Sequence, residues 1–315
     1  MNHNPLQGLG VLVVAYNLPN TNLNTTLERV VSQTRLPCPV ITELLDESTF
    51  TIQPSINELN QLDVKRIVIV PLMSGWTPEV LKKQESKRTT VTQGFEHHVL
   101  IQEILSERNG AANSSPNRAY VELETLLPHP KLARFIEWRV AETLYPALTY
   151  QHNGRTKALG FNEAQAIATA AGGSYPCSTL ATRVLHLAFQ TLWDDLPHPA
   201  EMDVISQLPP EVGSRPVLEA VADPNCIAYT GDWYNVTSKS PAFLITNRAN
   251  GRQLRVTARP STYGGEEFFA LRHKHVNGQG DHEDAERVKA YFQLILSNLL
   301  LKPDAEIFEW EMSAT

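Results

Sequence analysis

Residues 65–79 read KRIVIVPLMSGWTPE. Two basic residues lead into Ile67, Val68, Ile69 and Val70, four β-branched apolar residues in succession, and the run ends at Pro71. A continuous apolar run, as opposed to an alternating one, predicts a strand buried on both faces, which is the habit of parallel sheets. A polar loop follows, Ser74-Gly75-Trp76-Thr77-Pro78, and a helical pattern begins near Glu79. In open parallel sheets the ligand sits beyond the carboxyl ends of the strands, in the loops that enter the next helix. Residues 73–79 are therefore a candidate lining for an active site.

The flanking sequence has the matching alternation. Residues 11–15 (VLVVA) read as a buried strand and residues 39–45 as another, with Glu43 and Asp46 near its end. Apolar spacing predicts helices over residues 22–34 (Leu23, Leu27, Val30 and Val31 on one face), 54–62, 79–87, 95–107 and 130–144. Residues 120–124 read as a strand. Strands alternating with helices predict an open, mostly parallel α/β sheet with helices on both faces. Neither G-x-G-x-x-G nor G-x-x-x-x-G-K-[ST] occurs, which argues against a nucleotide-binding cradle of those types.

The pattern changes after residues 150–157 (YQHNGRTK), a polar, glycine-containing stretch that reads as a linker. Two domains are expected, over residues 1–150 and 151–315, the second α+β. Helices are expected over residues 161–171, stopped by Gly172-Gly173, over 180–192 and over 283–301. A β-rich region with an Asn250-Gly251 hairpin turn spans residues 242–258, and residues 306–310 read as a last strand.

Composition narrows the function classes. The chain has 315 residues, 42% hydrophobic and 19% charged, ordinary values for a soluble globular protein. A net charge of −7 gives no electrostatic reason to expect nucleic acid. No apolar stretch is long enough to span a bilayer, and residues 1–10 lack the pattern of a secretory signal. Cys38, Cys177 and Cys226 are odd in number and widely spaced, so they predict buried thiols or metal ligands in a reducing cytoplasm.

Residues 9–146 resemble the CbiX-type sirohydrochlorin chelatases. The resemblance rests on VLVVAYN (residues 11–17), the acidic pair after the second strand, INELNQLDVKRIVIVPLMSGWTPEV (residues 56–80) and ETLLPHPKLARFIEWRVAETL (residues 124–144). It implies insertion of cobalt, iron or nickel into a tetrapyrrole, and a cleft formed by two homologous halves, fused or dimeric. The second half here does not repeat the first, so a homodimer through the N-terminal domain is expected. The family carries a histidine at the end of the first strand and another in the loop after the third; these positions are Tyr16 and Glu79 here. Glu43 falls where the family has a carboxylate.

Tyr16, Glu43 and Glu79 are thus the candidate catalytic residues, with Glu79 also a candidate metal ligand. Ser74 and Trp76 are candidates for holding the macrocycle, Trp76 by stacking. A phenol with a pKa of about 10 is a poor base at neutral pH, and a carboxylate is a harder ligand than imidazole. Glu79 is equally what the first turn of any helix favours. His97 and His98 could supply imidazoles, though they lie on an amphipathic helix.

Residues 160–310 resemble a second family, the domain of the E-type formylmethanofuran dehydrogenase subunit. The match lies in the Gly-x-x-x-Cys entry to a long helix (residues 173–192), Cys226 ahead of a glycine turn, and PAFLITNRANGRQLRV (residues 241–256). This resemblance implies metal binding through a His-x-Cys entry; the histidine position is Tyr175 here. Cys177, at a helix N-terminus that favours thiolate, and Cys226 are a candidate pair of metal ligands. His186, His273, His275 and His282 could complete the set, although nine residues turn His186 to the far side of the helix from Cys177. His273 and His275 share a face if they lie on a strand. The alternative is that both thiols are small buried hydrophobes.

Three functions remain open: a tetrapyrrole metal chelatase, a module that holds a divalent metal ion (Co, Fe or Zn) or a tetrapyrrole without insertion, and a partner protein with both sites retired.

Overall fold

The computed structural model describes residues 5–16, 23–45, 51–73, 79–95, 98–109, 126, 129–152, 154–173, 175–210, 213–231 and 240–314. The chain divides into two compact units, one ending at Tyr145 and the other beginning at Pro146.

The first unit is an α/β fold. Its described elements are β1 (Leu9–Tyr16), α1 (Leu23–Ser32), β2 (Val40–Leu45), α2 (Gln53–Gln61), β3 (Arg66–Pro71), α3 (Glu79–Lys82), β4 (Thr89–Val91), α4 (Val99–Asn109) and α5 (Lys131–Leu144). The strands are all parallel, in the order β2-β1-β3-β4. Consecutive apolar residues on β1 and β3 are what this architecture requires, because each face has its own cover. Leu12, Val14, Ile67 and Ile69 pack with Ile52, which precedes α2, and with Ile56 and Leu59 of α2. The intervening Val11, Val13, Val68 and Val70 are as deeply buried and turn to the other face, where α1 meets β2, α5 meets β3, and the two helices touch.

The expected helix over residues 79–87 is shorter, and a strand follows it. The helix after the central loop stops at Lys82, and Thr89–Val91 forms the edge strand β4. Three residues, two of them Thr, after a Ser-Lys-Arg stretch are too short to reveal a strand by pattern alone. Residues 120–124 lie outside the described residues.

The second unit is α+β. Residues 150–157 are a β-hairpin, not a linker: β5 (Leu148–His152) pairs antiparallel with β6 (Arg155–Leu159) across Gly154, whose φ of 72° suits glycine. Then come α6 (Phe161–Ala170), α7 (Tyr175–Leu192), β7 (Met202–Ser206), α8 (Ser214–Val221), β8 (Ile227–Tyr229), β9 (Ala242–Asn247), β10 (Arg252–Ala258), α9 (Glu266–Val276), α10 (His282–Leu301), α11 (Asp304–Ile307) and β11 (Phe308–Ala314). The sheet order is β11-β10-β9-β7-β8, antiparallel except for the β7–β8 pair.

Helix α7 is the core of this unit. It packs on α6, α8 and α10 and on strands β9 and β10. Leu180, Val184, Leu185, Ala188 and Leu192 are buried against Val204, Ile245, Leu254 and Val256 of the sheet. Most alternate residues of β7, β9 and β10 are half-buried or, like Ile205 and Arg255, exposed, as a sheet covered on one face requires. Arg183 is fully buried on α7, and its guanidinium donates to the carbonyls of Leu299 and Lys302 and to Asp304. It thereby satisfies carbonyls at the end of α10 that have no partner within the helix. The last strand spans Phe308–Ala314, four residues further than the expected 306–310.

Candidate functional site

In the first unit, parallel pairing sets Glu43 beside Val14 and Tyr16 beside Leu45. Paired residues share a face, so Tyr16 and Glu43 both lie on the α2 side, toward the carboxyl ends of adjacent strands. Tyr16 is half-buried and packs on the apolar cluster formed with α2. Glu43, also half-buried, accepts a hydrogen bond from the Ser55 hydroxyl of α2. Sequence did not point to Ser55; its helical spacing marks only a position near Ile56, and the partner is set by how α2 lies on β2.

Glu79 is the first residue of α3, so the backbone enters a helix where its acidic side chain suits the dipole. The Glu79 side chain, and Ser74 and Trp76 entirely, lie outside the described residues, as does His97. Hence Tyr16 and Glu43 are the candidate residues whose side chains can be placed.

His98 is a core residue. The backbone N–H of Phe95 donates to the Met73 carbonyl, which ties this turn to the end of β3. The His98 ring is fully buried, edge-on to Phe135 and Trp138 of α5 with centroids 4.8 and 5.7 Å away. Burial, aided by the charge of Arg139, holds its pKa well below the usual value. Its Nδ1 accepts from the backbone N–H of Leu100, which assigns the proton of the neutral ring to Nε2.

A cavity of about 430 Å³ lies at the other end of this sheet, by the amino ends of β1, β2 and β3. Gly8, Cys38, Asp63 and Lys65 are among its lining residues. Burial pushes the Cys38 thiol up to about 11, so it is neutral and a poor ligand or nucleophile there. The position is the wrong one for an open parallel sheet, where ligand-binding loops converge on the carboxyl edge.

In the second unit the two candidate thiols are far apart. Cys177 lies in the first turn of α7, half-buried against the core. It neighbours Tyr263, whose phenol is held well above its usual value, first by burial and then by the Cys177 thiol. Cys226 closes a 3₁₀ turn (Pro224–Cys226) before β8, and Arg248 Nη1 donates to its Sγ at 3.3 Å and to Asp203 Oδ1 at 2.9 Å. Arg248 begins the turn between β9 and β10, and that turn is fastened to the far end of α7 by Asn250 Nδ2, which donates to the Leu192 carbonyl at 3.0 Å. Leu192 is fifteen residues beyond Cys177, about 22 Å at 1.5 Å per residue. Cys177 and Cys226 therefore mark opposite ends of one helix and cannot bind one ion together, where thiolate–zinc bonds are about 2.3 Å.

The histidines do not bridge that gap. His186 is buried against Phe161, with burial foremost and the Arg183 charge second in lowering its pKa to about 4. His273 and His275 lie on α9, not a strand, so two residues' separation turns them about 200° apart. His282 is the first residue of α10. Among the described residues no group of three or more His, Cys, Asp and Glu side chains is arranged to hold a metal ion. Nor, among them, is any helix long and apolar enough to cross a membrane.

No known family profile and no curated protein matches the chain.

Proposed function

We propose that the chain handles a tetrapyrrole and a divalent metal ion, with the macrocycle received at the carboxyl edge of the first sheet. Two things support this: the resemblance of residues 9–146 to CbiX-type chelatases, and the placement of Tyr16 and Glu43 on one face of adjacent parallel strands. The second is the observation that carries it. Glu79, at the start of the helix that follows the central loop, completes the polar set in sequence.

Metal insertion exchanges two pyrrole N–H protons for one M²⁺, so the site must accept protons and guide a cation. Ionised carboxylates do both, since they carry only acceptors and bind hard cations through oxygen. In this reading Glu79 takes the role that an imidazole fills in the resembled family, helped by Glu43 where that family also has a carboxylate, and cobalt or iron is cargo. Tyr16 orients the macrocycle by its ring. A second reading, binding without insertion, is favoured by one observation: the Glu43 carboxylate already accepts from Ser55. Residual binding of a metal ion such as zinc in the second unit would involve Cys177 or Cys226, each with ligands other than the second thiol. We place the protein in the cytoplasm on the strength of its three free cysteines.

The test is to mix purified protein with sirohydrochlorin and Co²⁺ or Fe²⁺ and follow the visible spectrum. Insertion above the protein-free rate supports the chelatase. A spectral shift on adding tetrapyrrole, with no insertion, supports the binding module. Neither response would leave only the retired-site partner protein.

A further inference from the structure

The second unit ends in an edge strand that has the features of an interface. β11 is seven residues long, FEWEMSA, and pairs with β10 along its whole length. It lies at one end of the sheet order, and among the described residues nothing pairs with its other side. The opposite edge, β8, has only three residues. Exposed edges are ordinarily blunted by brevity, proline, a bulge or charged side chains, lysine above all. β11 has no proline, lysine or bulge; its charges are Glu309 and Glu311, and its register with β10 is continuous from Phe308 to Ala314.

Its apolar residues are also uncovered. Trp310 and Met312 pair with Val256 and Leu254, which are buried under the helices, yet they are themselves 38% and 51% exposed. They project beyond the helical cover on the same side of the sheet. On the other side stand Glu309 and Glu311; Glu309 is ion-paired within the unit, and Glu311 stands opposite an arginine on the neighbouring strand. Arg259 Nη1 lies 2.8 Å from Glu309 Oε1, and Arg255 is the cross-strand partner of Glu311. The acids therefore do not by themselves forbid a second strand.

We propose that β11 pairs antiparallel with β11 of a second copy, about a two-fold axis at Met312, joining two sheets into one. Antiparallel symmetry pairs residues equally spaced from the axis, and the alternation of faces limits the axis to a residue position. An axis at Glu311 sets Glu311 against itself, and one at Trp310 sets Glu309 against Glu311 of the other copy; like charges directly opposite are unfavourable. An axis at Met312 sets Met312 against itself, Glu311 against Ser313 and Trp310 against Ala314. That register removes the large apolar side chains from water without opposing two acids. One pair of seven-residue strands is a short interface, so the dimer is expected to be concentration-dependent. It is independent of the N-terminal dimer expected from the chelatase resemblance and of any ligand.

Sedimentation velocity on the full chain, across about 1–300 µM, is the test. The expected result is a rise from the 35.2 kDa monomer toward twice that mass. The double variant Trp310→Lys/Met312→Lys should weaken association at least tenfold (about 1.4 kcal/mol) with an unchanged melting temperature, both sites being exposed. The register has its own readout. Under mild oxidation Met312→Cys should yield a reducible covalent dimer above the wild-type background. Trp310→Cys should not, because its two copies would be about 14 Å apart, four residues along the strand and one strand across. A chain monomeric throughout, a dimer indifferent to the lysines, or cross-linking through Trp310→Cys in preference to Met312→Cys would each overturn the proposal.

Discussion

The Ser55 hydroxyl on α2 donates a hydrogen bond to the Glu43 carboxylate on β2. This contact fixes the one candidate acid of the first unit whose side chain is placed, and it faces the same side of the sheet as Tyr16. A ligand arriving at the carboxyl edge would meet a carboxylate already held in position, with lone pairs to spare.

Glu43→Gln is expected to weaken sirohydrochlorin or metal binding at least tenfold, about 1.4 kcal/mol, because an amide cannot accept a proton or pair with a cation. Ser55→Ala removes a donor from a half-buried carboxylate and is expected to cost about 1 kcal/mol of stability. It should keep binding, since the carboxylate remains. Titrations by visible absorbance and urea melts separate the two effects. Binding that survives Glu43→Gln undiminished would remove Glu43 from the site.

The first sheet was legible because its central strands have no exposed face. Ile67 to Val70 could only be a strand covered on both sides, and the parallel order follows from the helices between strands. Thr89–Val91 is not legible in the sequence because three residues carry no periodicity, and they are held by pairing with β3. In the second unit, Gly172 was readable as a helix stop, and it has φ 76°. The reason for Gly173 is tertiary: a Cβ there would lie 2.4 Å from Gly213 Cα, a neighbour forty residues away. Cys177 and Cys226 illustrate the same boundary. Their residue types suggest a shared metal, but only the length of α7 reveals that they stand at opposite ends of it. Met202–Ser206 and Glu266–Val276 were not anticipated, since neither has a hydrophobic pattern strong enough to separate it from its surroundings.

His186 should make the second unit sensitive to acid. Its folded pKa is lowered to about 4 from 6.5, chiefly by burial and then by Arg183, with Asp304 and the Pro146 carbonyl acting in the opposite direction. A depressed histidine binds fewer protons folded than unfolded, so its contribution is intact above pH 6.5 and is lost as pH falls from there toward 4. The full loss is about 3 kcal/mol at and below the folded pKa. Urea melts at pH 7.5 and 4.5 should show His186→Gln losing less stability on acidification than the wild type. Equal losses in the two proteins would exclude His186 as a source of that dependence. In the first unit His98 is depressed by burial and Arg139 and acts with the same sign.

The two thiols should behave independently. If zinc co-purifies, Cys177→Ser and Cys226→Ser are each expected to affect only metal held at its own end of α7, with the double variant showing the sum. Independence is the ordinary outcome for sites more than about 10 Å apart with no shared partner. Elemental analysis of the three proteins is the check. Complete loss of a single equivalent in either single variant and in both alike would require the two sulfurs to share an ion, contrary to their separation.

Arg183 should be among the least replaceable residues of the second unit. Its side chain is fully buried, and it reaches Asp304 at 2.6 Å and the Lys302 carbonyl at 3.0 Å in addition to the Leu299 carbonyl. Arg183→Met keeps much of the volume but strands these acceptors, at a cost of about 3 kcal/mol. Arg183→Lys keeps the charge without the planar fork and should fall between methionine and wild type. Arg183 also helps to depress His186, so its removal should move the histidine's titration upward and lessen the acid sensitivity that His186 confers. Chemical denaturation gives the order of stabilities, and NMR titration of the His186 ring gives the coupling. An Arg183→Met protein within about 1 kcal/mol of wild type, with an unmoved His186 titration, would show that neither the fork nor its charge matters there.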